Sequence, residues 1–307
     1  MLPDQRVLTT PDGRSLELLI AGPPDGLPLL FHNGTPGGLV AFPPMTAAAA
    51  ERGLRTVMYA RPGYGQSAAQ PGRRVVDTVA DAASVLDDLG ADQFVTAGWS
   101  GGGPHALACA ALLPGRCLAA ASMAGVAPAQ AAGLDWLAGM GPENIEEFSA
   151  AERGEAALAA YLEPEAAGLR QVTAEKVADA LGGLVSAADR DVVTAEFADY
   201  LATSFRAALS TGIAGWHDDD LAFVSDWGFP VAQAGQLPVA VWQGTEDRMV
   251  PHSHGAWLAG HIPGARAHLL TGEGHLTLVA RSFGAVLDDL LDLAGHPAGA
   301  RTRPGAG

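Results

Sequence analysis

Short apolar runs alternate with amphipathic stretches through the first 125 residues, and this alternation leaves few folds open. The runs at residues 16–21, 27–32, 56–60, 94–98 and 117–124 have the pattern of strands in a parallel α/β sheet, with crossover helices between them. In one of the intervals Val76, Val79, Ala83, Leu86 and Leu89 recur at helical spacing, and Gly90 stands where a helix C-cap belongs. That interval predicts a helix joining two parallel strands.

From residue 127 to 236 the strand-like runs vanish and Ala and Glu dominate. Val193, Phe197, Leu201 and Phe205, each four residues from the next, mark the clearest of several helices there. The α/β pattern then resumes with a run at 239–243, a helix near 252–261, a run at 267–270 and a last helix whose apolar face includes Leu278, Val286 and Leu290. The expected organisation is a first core part at 1–126, a helical insertion at 127–236 and a second core part at 237–296. The tail at 297–307, rich in Gly, Pro and Arg, is expected to be disordered.

Composition narrows the function. Of 307 residues, 48% are apolar and 17% charged, so material for a sizeable core is present. Eighteen Lys and Arg against 34 Asp and Glu give a net charge of −16, a field that repels phosphate backbones and anionic membrane surfaces. A small-molecule substrate is expected, with no nucleic-acid or membrane partner; a homodimer is the assembly kept open. Lys176 is the one lysine, which leaves little room for Schiff-base chemistry or a phosphate-cradling Gly-Lys loop. Cys109 and Cys117 lie in apolar surroundings and read as buried, inert thiols. The N-terminus lacks an apolar run before its first turn, and no stretch of about 20 strongly apolar residues suggests a membrane span, so a cytoplasmic location is expected.

The strongest chemical signal is Phe94-Val95-Thr96-Ala97-Gly98-Trp99-Ser100-Gly101-Gly102-Gly103, a strand-like run followed at once by GxSxG and a helical pattern. A nucleophilic serine must project from a sharp strand-to-helix turn, and small residues two before and two after it avoid collision there. The helix that follows favours negative charge developing near its first amides. A serine hydroxyl needs a base, and the base needs an orienting carboxylate. His275, in the Gly-flanked loop between a strand-like run and the final helix, is the expected base. Asp247, just beyond the run at 239–243, is the expected acid, preferred to Glu246 because a shorter side chain pins an imidazole more rigidly. An oxyanion hole needs two main-chain N–H donors. Gly101 supplies one, and Thr35, in Asn33-Gly34-Thr35-Pro36-Gly37, supplies the other.

With GWSGG, the turn at Asn33 to Gly37, the loop Ala60-Arg61-Pro62-Gly63-Tyr64-Gly65-Gln66-Ser67, Asp247 and His275, the chain resembles the α/β-hydrolase superfamily over nearly its whole length. Asn33 replaces a usual histidine, and Ala60 a usual aspartate. The resemblance implies a mainly parallel eight-stranded sheet with flanking helices and a helical cap after the sixth strand. Ser100 argues against the aspartate-nucleophile dehalogenases and epoxide hydrolases of that superfamily. Proline iminopeptidases have a similar turn at the position of Asn33 to Gly37 but a different elbow. Carboxylic esters, lactones or thioesters of a small apolar substrate are therefore the expected class, cleaved with no cofactor and no metal. Amidases, C–C hydrolases and cofactor-free perhydrolases use similar triads, and a ligand receptor on the same fold is the alternative from another class. Trp99, Trp216 and Phe223 are candidate pocket residues. Asp218, Asp219 and Asp220 read as a solvated helix start, since no further ligand spacing supports a metal.

Overall fold

A computed structural model describes residues 3–296; the expected tail at 297–307 lies outside them. Eight strands form one sheet: β1 (Asp4–Thr9), β2 (Ser15–Ala21), β3 (Leu27–His32), β4 (Leu54–Tyr59), β5 (Phe94–Trp99), β6 (Cys117–Met123), β7 (Val239–Gly244) and β8 (Arg266–Leu270). Their order is β1-β2-β4-β3-β5-β6-β7-β8. β2 pairs antiparallel with β1 and β4, and the remaining pairs are parallel. Strand β1 is the one without an apolar run to announce it. It is a largely exposed edge strand, DQRVLT, that needs only the hydrogen bonds of its hairpin partner.

Twelve α-helices complete the described chain: α1 (Pro43–Glu51), α2 (Thr78–Asp88), α3 (Gly103–Leu112), α4 (Pro142–Glu152), α5 (Glu155–Leu169), α6 (Val177–Ala180), α7 (Ala187–Arg190), α8 (Ala195–Ala208), α9 (Ala214–Val224), α10 (His252–His261), α11 (Thr277–Ala280) and α12 (Phe283–Leu293). Gly90 sits at φ +62° just past α2, and the amide of Ala91 reaches back to Leu86 O, closing that helix as its sequence suggests. The sheet is buried on both faces, and side-chain alternation assigns the layers. Leu29, Phe31, Val95 and Ala97 point into one core with Ala49 of α1 and Val286 and Leu290 of α12. Leu30 and Phe94 point into the other with Val85 and Leu86 of α2. Cys109 and Cys117 are buried in that second layer, and burial pushes the Cys109 thiol up to about 12.

The stretch between β6 and β7 contains helices and turns and no strand. In α8, Phe197, Leu201 and Phe205 are buried at the expected spacing, while Val193 precedes the helix, whose N-cap is Thr194. The single last helix expected from Leu278 to Leu290 is instead two. Arg281 (φ −116°) and Ser282 (φ −99°, ψ −7°) leave helical geometry, so Leu278 belongs to the short α11. Among the described residues no helix is long and apolar enough to cross a membrane, and no group of His, Cys, Asp and Glu is arranged to hold a metal ion.

Candidate active site

The loops that follow β3, β5, β7 and β8 meet beyond the carboxyl ends of the strands, where open parallel sheets place their ligand sites. Ser100 follows β5 directly and holds φ +56°, a left-handed backbone rare for a residue with a side chain. The turn is possible because its neighbours are glycines. A Cβ at Gly98 would overlap the Gly102 carbonyl oxygen, and one at Gly102 would overlap His32 O.

Asp247 lies in the turn after β7 and is buried, whereas Glu246 is exposed. Its Oδ1 accepts the amides of Met249 (2.9 Å) and Val250 (2.8 Å). Its Oδ2 accepts Gln243 Nε2 at 2.9 Å and lies 2.8 Å from His275 Nδ1. The imidazole thus meets an acceptor that is itself held by three other donors. Main-chain bonds hold the other side of the residue: Trp99 Nε1 donates to His275 O at 3.2 Å, and the two rings lie 5.4 Å apart. Ser100 and His275 face the same cavity. No hydrogen bond joins the Ser100 hydroxyl to the imidazole, a contact that commonly tightens only around a bound substrate.

Thr35 and Gly101 face each other across the elbow, where a Cβ at Gly101 would press on the Thr35 side chain. The Thr35 amide donates to no partner among the described residues, and Gly101 lies in the single 3-10 turn, Ser100–Gly102, that leads into α3, where amides have no intrahelical acceptor. Both candidate donors are therefore free. Behind them lies a buried ion cluster. Asp219 of α9 accepts Arg61 Nη2 (2.6 Å), Arg73 Nη2 (2.6 Å), Tyr64 Oη (2.9 Å) and Thr35 Oγ1 (2.7 Å). Arg61 also donates to the Asn33 and Gly34 carbonyls, at 2.6 and 3.0 Å. Burial alone would raise the Asp219 carboxyl, but Arg61 and Arg73 overcome it and hold it well below the usual range.

This cluster corrects the solvated reading of Asp218 to Asp220, because all three are buried. It also shows what the two departures at Asn33 and Ala60 leave in place. Asn33 Nδ2 donates to Gly38 O at 2.9 Å and closes its own turn, and the guanidinium of Arg61 braces the loop from below. Nothing in the sequence announced that Arg61, Arg73 and Asp219 would meet; the one signal was a run of charges inside a segment otherwise rich in apolar residues.

The cavity over Ser100 measures about 130 Å³. Trp99 and Trp216 line it as expected. Phe223 does not: its buried ring packs behind the elbow, 6.0 Å from His105, in contact with the space above Gly101. Most of the remaining wall comes from the segment between β6 and β7, including Leu169, Leu181, Leu201 and Phe205. Glu143, Glu147 and Glu165 also line it, and no Lys or Arg does. Glu147 accepts Trp216 Nε1 at 2.7 Å. Burial, and for Asp220 the neighbouring Glu147 carboxyl as well, raises both members of the Glu147–Asp220 pair.

Two other histidines, His105 and His254, are buried. His254 Nδ1 accepts the Ala127 amide (3.1 Å), so Nε2 carries the proton and donates to Trp136 O (2.8 Å). Burial lowers both His254 and His105 to about 4, which leaves them neutral.

Comparison with known proteins bears on the fold. The model of the α/β-hydrolase fold family matches residues 28–281. The chain belongs to the α/β-hydrolase family. This α/β-hydrolase is similar to solved structures of low identity. One is a hydrolase from Pseudomonas aeruginosa PA01 (22% identical, TM-score 0.67, covering 94% of this chain and 98% of that one). Another is the enol-lactonase from Burkholderia xenovorans LB400 (19%, TM-score 0.66, 94% and 100%). A non-heme chloroperoxidase from Streptomyces lividans is 32% identical over 146 residues, 47% of this α/β-hydrolase. The match spans 53%, about half, of that relative's length.

Proposed function

We propose that this α/β-hydrolase is a serine hydrolase that cleaves a carboxylic ester, lactone or thioester through an acyl-enzyme. The observation that carries the reading is the Asp247-oriented imidazole of His275 facing the same cavity as Ser100, which projects from a strained elbow. His275 removes the Ser100 proton as the hydroxyl oxygen attacks the substrate carbonyl, and the amides of Thr35 and Gly101 hold the oxyanion. Collapse of the adduct expels the alcohol or thiol, which takes its proton from His275. Water activated by the same imidazole then releases the acid and restores Ser100. The segment at 127–236 acts as a cap that chooses the substrate, since it supplies most of the wall. Three glutamates without a facing cation favour a neutral or amine-bearing acyl group over an anionic one.

A second reading is favoured by the chloroperoxidase likeness: hydrogen peroxide in place of water as the acceptor of the acyl group, giving a peracid. One experiment separates the readings. The purified protein is labelled with a fluorophosphonate, the labelled residue is mapped, and turnover of graded p-nitrophenyl esters, lactones and aminoacyl amides is followed with and without peroxide. Labelling at Ser100 that disappears in Ser100→Ala, with turnover in water alone, is the expected result. Turnover that depends on peroxide selects the second reading. A folded protein that neither labels nor turns over any substrate overturns both and leaves a ligand receptor.

A further inference from the structure

The main chain that carries His275 is anchored by a residue far from the triad in sequence. Asp189, in the short helix α7 between β6 and β7, is fully buried. Its Oδ2 accepts the His275 amide at 3.1 Å, and its Oδ1 accepts the amides of Leu276 (2.7 Å) and Thr277 (3.1 Å). Ser186, the N-cap of α7, donates its hydroxyl to the same carboxylate at 2.9 Å and accepts the Asp189 amide. No arginine, lysine or histidine side chain pairs with Asp189 among the described residues. A buried carboxylate persists only when donors replace its lost hydration, and here three of the four donors are consecutive main-chain amides of the base loop.

Other hydrogen bonds hold the residues before the base, from Gly272 N to Thr245 Oγ1 (2.9 Å), Glu246 N to Glu273 O (2.9 Å) and Gly274 N to Thr277 Oγ1 (2.8 Å), but none of them reaches the amides of residues 275–277. Gly272, at φ +79°, and Gly274 bracket Glu273, and the approach of Asp189 is so close that a Cβ at Gly274 would overlap its carboxylate. Asp247 holds one ring atom of His275 and Trp99 holds its carbonyl; the amide is left to Asp189. A single hydrogen bond at Nδ1 sets which nitrogen faces the cavity, but not where the ring's backbone sits. Three adjoining amides on one rigid anion do set it.

We propose that Asp189 is a positioning residue, by which the segment between β6 and β7 fixes the main chain of His275 and so the distance of its imidazole from Ser100. The proposal rests on the reading of Ser100 and His275 as nucleophile and base. Displacing a catalytic group by about 1 Å costs on the order of 100-fold, so Asp189→Ala lowers kcat by about 10- to 100-fold with KM changed less than about threefold. Asp189→Asn, which keeps one acceptor oxygen, recovers part of the loss. Because Asp189 acts through His275, the same substitution in a His275→Ala background removes less than about threefold of the residual rate.

The test is ester kinetics on Asp189→Ala, Asp189→Asn and Gly274→Ala, each alone and with His275→Ala, on protein shown to be folded by circular dichroism. Gly274→Ala pushes the loop off the carboxylate, so it keeps the test decisive if Asp189→Ala does not fold, and the same loss of kcat is expected of it. Full kcat in Asp189→Ala, or in Gly274→Ala where the former is unfolded, overturns the proposal. So does an equal loss with and without His275. If His275→Ala itself retains wild-type activity, the base assignment falls and Asp189 with it, whereas an inactive His275→Ala beside a fully active Asp189→Ala overturns the positioning role alone.

Discussion

Thr35 and Asp219 lie 184 residues apart in the chain, yet the Thr35 hydroxyl donates to the Asp219 carboxylate at 2.7 Å. One is in the loop after β3, whose amide is proposed to hold the oxyanion. The other is in a helix of the inserted segment, and the same carboxylate neutralises Arg61 and Arg73.

Asp219→Ala therefore leaves two guanidinium groups buried without their anion, and the expected loss is about 3–5 kcal/mol of unfolding free energy in urea. The pH dependence follows from the lowered carboxyl. Since the folded value lies below the unfolded one of about 3.9, the contribution is complete above about pH 4 and is lost as acid carries the solution down through the folded value. Asp219→Asn flattens that acid limb. A variant within about 1 kcal/mol of wild type removes the bracing role.

The Glu147–Asp220 pair runs the other way. Both carboxyls are raised, so their protonated forms favour the fold below about pH 4, and that contribution is lost as pH climbs through their folded values. Asp220→Asn takes away one ionisable member with little change in volume. Its stability relative to wild type is expected to grow between pH 5 and 8 in denaturant titrations. A gap that shrinks over that range contradicts the buried pair.

At Ser100 activity and stability pull apart. A left-handed backbone at a residue with a side chain costs about 1–3 kcal/mol, and glycine relieves it. Ser100→Gly is expected to unfold at least about 0.5 kcal/mol later than Ser100→Ala, both being inactive. Equal midpoints argue against strain stored at the elbow.

For the acid, Asp247→Asn keeps the size but offers His275 Nδ1 the wrong group, and the loss in kcat is expected near the 10⁴ of the serine-protease example. Glu246→Gln, at an exposed position, stays within about twofold. His254→Ala is expected to lose about 1–3 kcal/mol of stability, since the Ala127 amide and Trp136 carbonyl lose their partner, while kcat stays within tenfold. An inactive but stable His254→Ala would reverse the roles of the two histidines.

Much of this arrangement is legible in the sequence. Seven of the eight strands, the elbow and the loops holding Asp247 and His275 are local patterns, in which a few adjacent residues carry the whole signal. Strand β1 is not, because an exposed edge needs no apolar residues. The aspartates were misread for a related reason. A run of three carboxylates looks solvated to any local rule, and only the fold brings Arg61 and Arg73, from the chain between β4 and α2, underneath α9. Asp189 is the same case: its partners are amides, which sequence does not display. Phe223 failed because an aromatic near the cavity and one behind the elbow have identical patterns.

Arg61 and its carboxylate also bear on how such a protein can be re-engineered. Because Asp219 comes from the inserted segment while both its arginines come from the core, the segment is not an exchangeable part. A graft taken from another protein to alter specificity would strand two buried cations unless it carried an anion to the same point over Thr35. Swapping only the stretch around α4 and α5, with Glu147 retained as the partner of Trp216 on α9, is the chimera that keeps the ion cluster at Thr35 intact.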